Sequence, residues 1–171
     1  MKRSIALLPL VLAACVPASK PPASPSPPPR VAAPAPVTAP ALGPDWRDWP
    51  LTPGTWSYRR DDRGSLASFG QAGADALVSL RCDAAARRMH LSVAGQAANA
   101  TLRTTSTARQ LPLRPTGGTQ SYAAAVLAAS DPLLDAIAFS RGRFTVERPG
   151  AAPLVLPAYA EVGRVTEDCR N

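Results

Sequence analysis

The sequence predicts a small α+β domain, built mainly from antiparallel β-sheet or a β-sandwich and closed by a C-terminal helix. Apolar and polar residues alternate in several short segments between residues 55 and 156, which is the period of half-buried strands. Apolar residues recur at helical spacing near residues 131–139 and again after residue 157. Residues 45–171 are enough for a single globular domain with a sizeable core and too few for two.

The clearest strand signal is a pair of segments on either side of residues 83–87. Every second residue of both segments is apolar and residues 83–87 form a turn, so the pair predicts a β-hairpin. The outward positions include His90, the only histidine of the chain. The predicted inward positions are Ala76, Val78, Leu80, Cys82, Met89, Leu91 and Val93.

Weaker strands are predicted before and after this hairpin. The alanine-rich segments among them stay ambiguous, because alanine favours helix whereas the alternation favours sheet. The predicted strands cover residues 55–59, 66–69, 100–105, 122–127, 144–146 and 154–156.

Two helices have clear start signals. Ser130-Asp131-Pro132 provides an N-cap followed by a proline in the first turn, and the helical pattern continues until Gly142. The last helix is predicted to start at Pro157, with Arg164 and Asp168 at the i,i+4 spacing that favours an ion pair. Its predicted inward stripe is Tyr159, Val162, Val165 or Thr166, and Cys169.

The three tryptophans of the chain, Trp46, Trp49 and Trp56, all lie at the start of the predicted domain. Such a cluster can stack on sugars or bases. Aromatic rings bury large areas, however, so we favour tryptophans that fill one end of the core or fix the entering chain.

The N-terminus carries a basic pair, Lys2 and Arg3, followed by a short apolar run that ends in Leu12-Ala13-Ala14-Cys15. This arrangement is typical of a secretory signal, and the run is too short for the ~20 residues that span a bilayer. It resembles the signal of bacterial lipoproteins. The resemblance implies removal of residues 1–14 and acylation of Cys15, which anchors the protein to a membrane. In that family an aspartate after the cysteine favours inner-membrane retention, so Val16 implies the outer membrane, facing the periplasm.

Residues 15–44 are rich in proline and alanine and contain almost no large apolar side chains. A segment of this composition does not bury enough surface to fold, so we expect a disordered, largely polyproline II tether. At ~3.1 Å per residue it reaches up to about 90 Å. A ligand for a proline-binding module is the alternative, since residues 25–28 fit a P-x-x-P pattern.

The formal net charge of +7 belongs largely to these N-terminal segments. They contain four positive residues, Lys2, Arg3, Lys20 and Arg30, and no acidic ones, so residues 45–171 keep +3. The arginines of the domain are scattered among aspartates and form no basic run, which argues against nucleic acid as a partner.

Cys82 and Cys169 both lie on predicted inward faces and are the only cysteines besides Cys15. An exported protein meets oxidising conditions, so we predict a disulfide between them that fixes the terminal helix. The alternative is a reactive redox pair, which the lack of C-x-x-C spacing disfavours.

The predicted order of elements comprises a strand that ends in Leu80-Arg81-Cys82, a hairpin return, a later apolar strand and a terminal helix that ends in Cys169. This order resembles two groups of periplasmic domains. These are the invasion-associated locus B type and the lipoproteins that accompany some type VI secretion systems. The resemblance covers residues 76–93 and 143–170. It implies a disulfide-linked sheet and helix and carries no activity.

The sequence offers no set of catalytic residues, no metal site and no cofactor site. A single histidine excludes histidine-rich metal clusters and paired-histidine mechanisms. No G-x-S-x-G motif is present. Asp61 and Asp62 are adjacent, so in a strand they point to opposite faces, and neighbouring arginines indicate a loop of ion pairs.

Two hypotheses about function remain. The first is a membrane-anchored, non-catalytic lipoprotein of the cell envelope whose domain binds another envelope protein or a polymer. The second is a carrier of a small lipid-like ligand, or a hydrolase, with Trp46, Trp49 and Tyr122 lining a pocket.

Overall fold

The computed structural model describes residues 42–171. The predicted signal peptide, Cys15 and most of the predicted tether lie outside the described residues. A short 3₁₀-helix at Trp46–Asp48 precedes the first strand. The later elements are β1 (Thr55–Asp61), β2 (Gly64–Gly70), β3 (Val78–Asp83), β4 (Arg88–Ala94), β5 (Asn99–Arg103), β6 (Ala108–Pro112), β7 (Arg114–Pro115), β8 (Tyr122–Ala128), α1 (Pro132–Ala138), β9 (Arg143–Glu147), β10 (Leu154–Pro157) and α2 (Ala160–Arg170).

The strands form two antiparallel sheets. The larger has the order β1-β2-β3-β4-β8-β7 and the smaller has the order β10-β9-β5-β6. The chain changes sheets at Leu113, which separates β6 from β7. Buried side chains of both sheets and both helices belong to one hydrophobic core. The predicted α+β class, mainly antiparallel with a C-terminal helix, is confirmed.

The predicted hairpin is β3 and β4. Val78 pairs with Val93, Leu80 with Leu91 and Cys82 with Met89, and all six side chains are fully buried. Ala76 was expected on this strand but lies before its first residue, in a segment where Leu77 donates its N–H to Phe69 O. The alternation was readable because one face of the hairpin is buried throughout.

Trp56 joins the two sheets in the core. Its ring lies 5.3 Å from Phe69 of β2 and 6.4 Å from Phe144 of β9, measured between ring centroids, and its Nε1 donates to Pro157 O at 2.8 Å. Trp49 holds the entering chain instead, because its Nε1 donates to Gly43 O at 2.7 Å. The tryptophans therefore fill the core and fix the entering chain.

The first predicted helix is confirmed as α1. Asp131 is its N-cap and accepts a hydrogen bond from Leu133 N at 2.9 Å, and Pro132 occupies the first turn. Leu133, Leu134 and Ile137 are buried on its inner side.

The predicted start of the last helix at Pro157 was wrong. Pro157 ends β10, where it pairs with Arg143, and α2 begins at Ala160. β10 is an edge strand, and a proline without an N–H is tolerated at such a position. Tyr159, predicted on the inward stripe, is the N-cap and is 53% exposed. The remaining stripe residues are buried, namely Val162, Val165, Thr166 and Cys169.

The predicted ion pair between Arg164 and Asp168 does not form. Asp168 instead accepts a hydrogen bond from the Tyr58 hydroxyl at 2.5 Å and pairs with Arg60, while Arg164 lies 4.1 Å above the ring of Tyr58. Two donors from β1 on a largely buried carboxylate outweigh an exposed i,i+4 pair, which contributes only ~0.3–0.5 kcal/mol. These contacts attach α2 to β1.

The sulfur atoms of Cys82 and Cys169 lie at disulfide distance, 2.17 Å, with their Cα atoms 5.3 Å apart. Both residues are buried, at 0% and 2% exposure. The pair links β3 to α2, so α2 packs on the face of the larger sheet that carries Cys82.

Candidate binding surface

The outer face of the larger sheet is not covered by any element of the described chain. The inner face packs on α2 through Cys169 and on the smaller sheet through Phe144. Since side chains alternate along a strand, the outward positions of β1, β2, β3 and β4 remain accessible. The uncovered side, called the open face here, carries residues of β1, β2, β3, β4 and β8.

A row of serines crosses the open face. Strand register places Ser57 opposite Ser68, Ser68 opposite Ser79, and Ser79 opposite Ser92. Ala124 of β8 continues the row beyond Ser92. Because these side chains are small, a ligand can approach the backbone of the sheet closely along this row. Each serine hydroxyl can also donate and accept a hydrogen bond.

The next row combines charge with apolar side chains. Leu66, Arg81, His90 and Val126 follow one another across β2, β3, β4 and β8. Arg81 donates two hydrogen bonds to Asp61, at 3.0 and 2.8 Å. Together with the hydrogen bond from Arg63 N, they hold the pKa of the Asp61 carboxyl far below its ordinary value although desolvation opposes them.

Asp61 and Asp62 do not form a carboxylate pair. Asp61 pairs with Arg81 and, at 3.1 Å, with Arg59, whereas no described residue forms an ion pair with Asp62. The predicted interpretation as a segment of ion pairs is therefore confirmed for Asp61.

Two open cavities of about 480 Å³ each lie side by side on the open face and share His90, Thr116 and Ala124. The first is also lined by Arg63 and by Ser68, Ser79 and Ser92 of the row, and the second by Arg114 and Val126. We call the two cavities together the open-face groove.

Uncommitted arginines surround this groove. Every positively charged residue of the predicted domain is an arginine. Among residues 42–171, most guanidinium groups bind a carboxylate, a backbone carbonyl or an aromatic ring. Arg63, Arg88 and Arg114 have no such partner there and border the open face, with a fourth example, Arg141, near α1. Arg63 and Arg114 line the groove and Arg88 lies beside it on the open face, against one carboxylate in the lining, Asp83, so the groove has an excess of positive charge and many hydrogen-bond donors.

His90 lies at the centre of the groove, partly buried, opposite Arg81 and Val126. No side chain of the described residues, including the serines, forms a hydrogen bond with the His90 ring. An activated nucleophile requires a base within hydrogen-bond reach. The described residues of the groove thus offer hydrogen-bond donors and charges for ligand binding, but they contain no nucleophile hydrogen-bonded to a base.

Tyr122 borders the groove, where its hydroxyl donates to Ala76 O at 2.7 Å. Burial raises the pKa of this phenol, and the charge of Asp75 adds to the effect. Neither Trp46 nor Trp49 lines the same cavity, so the three aromatic residues suggested as a pocket lining are not brought together.

Within residues 42–171, no group of three or more His, Cys, Asp or Glu side chains is placed to hold a metal ion. No helix in the same part of the chain has the length and apolar character needed to cross a membrane.

Comparison of the chain with protein-family models, curated proteins and solved structures finds no match. The resemblance to domains of the invasion-associated locus B type stays a prediction. Function is therefore inferred from the chemistry of the surface itself.

Proposed function

We propose that this protein is a lipoprotein of the cell envelope, anchored to a membrane through acylated Cys15, whose domain binds a polymer without catalysis. The outer membrane, facing the periplasm, is the proposed location, and a Cys82 to Cys169 disulfide forms on export. The polymer is anionic and binds in the open-face groove. The observation that supports this function is the set of three uncommitted guanidinium groups around a row of hydroxyl groups on an uncovered sheet face.

The chemistry of the groove favours a polymer over a protein partner. The centres of protein interfaces are enriched in aromatic residues and depleted in serine and alanine. The open face has a row of serines that ends in an alanine, and Leu66 and Val126 are the larger apolar residues of the neighbouring row. Tyr122 is the one aromatic residue that lines the groove among the described residues. Guanidinium and hydroxyl groups instead match the phosphate, carboxylate and hydroxyl groups of an envelope polysaccharide.

A lipid-like ligand or a hydrolytic reaction is less well supported. Small-molecule sites are concave, mostly apolar and bury most of the ligand. The two cavities of the groove are open to solvent, and polar side chains make up most of the lining of the first cavity. His90 has neither a carboxylate nor a serine hydroxyl as a hydrogen-bond partner among the described residues.

Binding is tested with the full chain and isolated anionic envelope polysaccharide. The triple substitution Arg63→Ser, Arg88→Ser, Arg114→Ser is expected to weaken binding roughly ten- to a hundredfold, because exposed charge contacts contribute about 0.5–1 kcal/mol each. Arg141→Ser is the control, since it removes an equally uncommitted arginine outside the groove. The groove would be rejected as a polymer site if the triple variant and Arg141→Ser weakened polysaccharide binding equally per charge removed. Binding of the protein only to a purified envelope protein would also reject it.

The anchor is tested separately. Mass analysis of the mature N-terminus is expected to find an acylated Cys15, and Cys15→Ser is expected to move the protein out of the membrane fraction. Density separation of the two membranes then assigns the location. An unmodified chain that still begins at Met1 would rule out the anchor.

A further inference from the structure

A third cavity, of about 970 Å³, lies beside α1 and away from the residues that line the groove. It brings together residues from the entering chain, the loop after β5 and the loop after α1. Its polar lining includes three arginines and two hydroxyl groups, from Arg47, Arg141, Arg143, Thr105 and Ser106.

The charge of this cavity is positive. Its one acidic lining residue, Asp135, is occupied by two hydrogen bonds from Arg170, at 2.8 and 3.1 Å. Arg143 donates to Trp49 O at 2.5 Å, which holds its guanidinium in place. Arg47 forms an exposed pair with Asp45 at 3.4 Å and lies 5.0 Å above the ring of Trp46, whereas the guanidinium of Arg141 has no partner among residues 42–171.

An exposed aromatic ring borders the same cavity. Phe139 directly follows the last residue of α1 and is 78% exposed, more than any other large apolar side chain in the described chain. A phenyl ring exposed to water gains free energy when an apolar surface covers it, and here the ring lies beside arginines. Aromatic and basic groups on one surface are typical of proteins that lie on membranes.

The position of the cavity along the chain indicates what covers it. Arg47 lines the cavity only three residues after the predicted end of the tether, which leads back to Cys15. A tether that ends in a membrane anchor keeps the domain near that membrane, so weak contacts between the two form more often than between separate molecules. The tether therefore joins the domain beside its basic and aromatic patch.

We propose that Arg47, Phe139, Arg141 and Arg143, called the entry patch here, dock the domain onto a lipid surface that contains anionic phospholipids. The guanidinium groups bind headgroup phosphates and the ring of Phe139 enters the interface between headgroups and acyl chains. This docking rests on the proposed membrane anchor, which keeps the domain close to the membrane. The affinity of the entry patch for lipid is a property of the domain alone. Binding therefore weakens as salt concentration rises.

The test uses the full chain with Cys15→Ser, so that acylation plays no part. Cosedimentation is measured with vesicles of phosphatidylcholine alone and with equal parts of phosphatidylcholine and phosphatidylglycerol. Arg47→Ser with Arg141→Ser is expected to weaken binding to anionic vesicles by about twentyfold, since each arginine near an anionic surface contributes about fivefold. Phe139→Ser is expected to weaken binding severalfold at high salt as well. Arg143 is left intact because it fixes Trp49.

The matched control is Arg88→Ser with Arg114→Ser, which removes the same charge from the open face and is expected to change vesicle binding by less than twofold. The N-terminal segments are common to all variants, so differences between variants report on the domain. Equal losses in both double variants, or displacement of the protein by inorganic phosphate at constant ionic strength, would overturn the proposal. Mass analysis of the native N-terminus reports on the anchor independently, so failure of either idea is recognised separately.

Discussion

Removal of the link between Cys82 and Cys169 tests the largest single contribution to stability that we assign to the domain. A disulfide between these two cysteines would close a loop with a sequence separation of 87 residues. The chain-entropy relation gives about 4.5 kcal/mol for a loop of this length at 25 °C. Domains of this size are stable by ~5–15 kcal/mol, so a disulfide at this position would supply a large part of the total.

The measurement is urea unfolding of the oxidised full chain, the reduced full chain and the double variant Cys82→Ala, Cys169→Ala. With a slope of about 2 kcal/mol/M, loss of the bond is expected to lower the midpoint by about 2 M. The reduced chain keeps both sulfur atoms in the core, so the difference between it and the double variant measures packing alone. Peptide mapping under non-reducing conditions establishes the starting state.

Two results would refute this reasoning. Equal midpoints for the oxidised and reduced chains would mean that the bond does not restrict the unfolded ensemble. Two free thiols in the exported protein would mean that the bond does not form where the protein works. If α2 alone detaches on reduction, unfolding proceeds in two steps, and hydrogen exchange would show early loss of protection in residues 160–170.

Three further predictions concern packing and charge. Asp168→Asn is expected to cost about 1–2 kcal/mol in urea unfolding because Tyr58 and Arg60 lose a charged acceptor, whereas Asp62→Asn, with no described ion pair, changes little. Phe144→Ala in the core is expected to cost about 3–5 kcal/mol, against less than ~0.5 for the exposed Tyr159→Ala. Acid is expected to destabilise the domain between about pH 5 and pH 2, since carboxyls with lowered folded pKa values stabilise it only while ionised. Unchanged urea midpoints across this pH range would contradict the stabilising role assigned to these ionised carboxyls. These carboxyls are Asp61, Asp131, Glu147 and Asp168.

Sequence alternation predicted the centre of the larger sheet well because that sheet is buried on one face only. Val78, Leu80 and Cys82 had to point inward together, and a shift of one residue would have exposed all three. The α1 start was equally clear, since an aspartate N-cap and a proline in the first turn both act locally.

The elements that were missed lack such local signals. β6 buries only Leu111 among its five residues, and β7 has two exposed residues, so neither shows a period. Their strand character comes from pairing with β5 and β8. Pro157 was assigned to a helix because proline often begins one, whereas the edge of a sheet accepts it equally well.

The open face was partly predictable. The outward positions of Ser79, His90 and Ser92 follow from the same alternation that places their neighbours in the core. Their alignment with Ser57 and Ser68 depends on the register of β1 and β2, which the turns between strands set. The entry patch was not predictable, because Arg47 and Arg141 are far apart in sequence and line one cavity only in the folded domain.

A modest net charge does not make this surface electrostatically uniform. The domain has only three more arginines than acidic residues. Ion pairs with carboxylates neutralise several of these arginines, and arginines without a carboxylate partner lie beside the open-face groove and, as Arg141 and Arg143, beside α1. At physiological ionic strength, charges separated by more than ~8 Å of water act almost independently. Arg141→Ser should therefore affect vesicle binding and spare polymer binding, while Arg88→Ser with Arg114→Ser should do the reverse. A single diffuse positive field predicts that the entry-patch and open-face substitutions weaken both kinds of binding equally per charge removed. Opposite effects of the two kinds of substitution on vesicle and polymer binding would therefore indicate two separate sites.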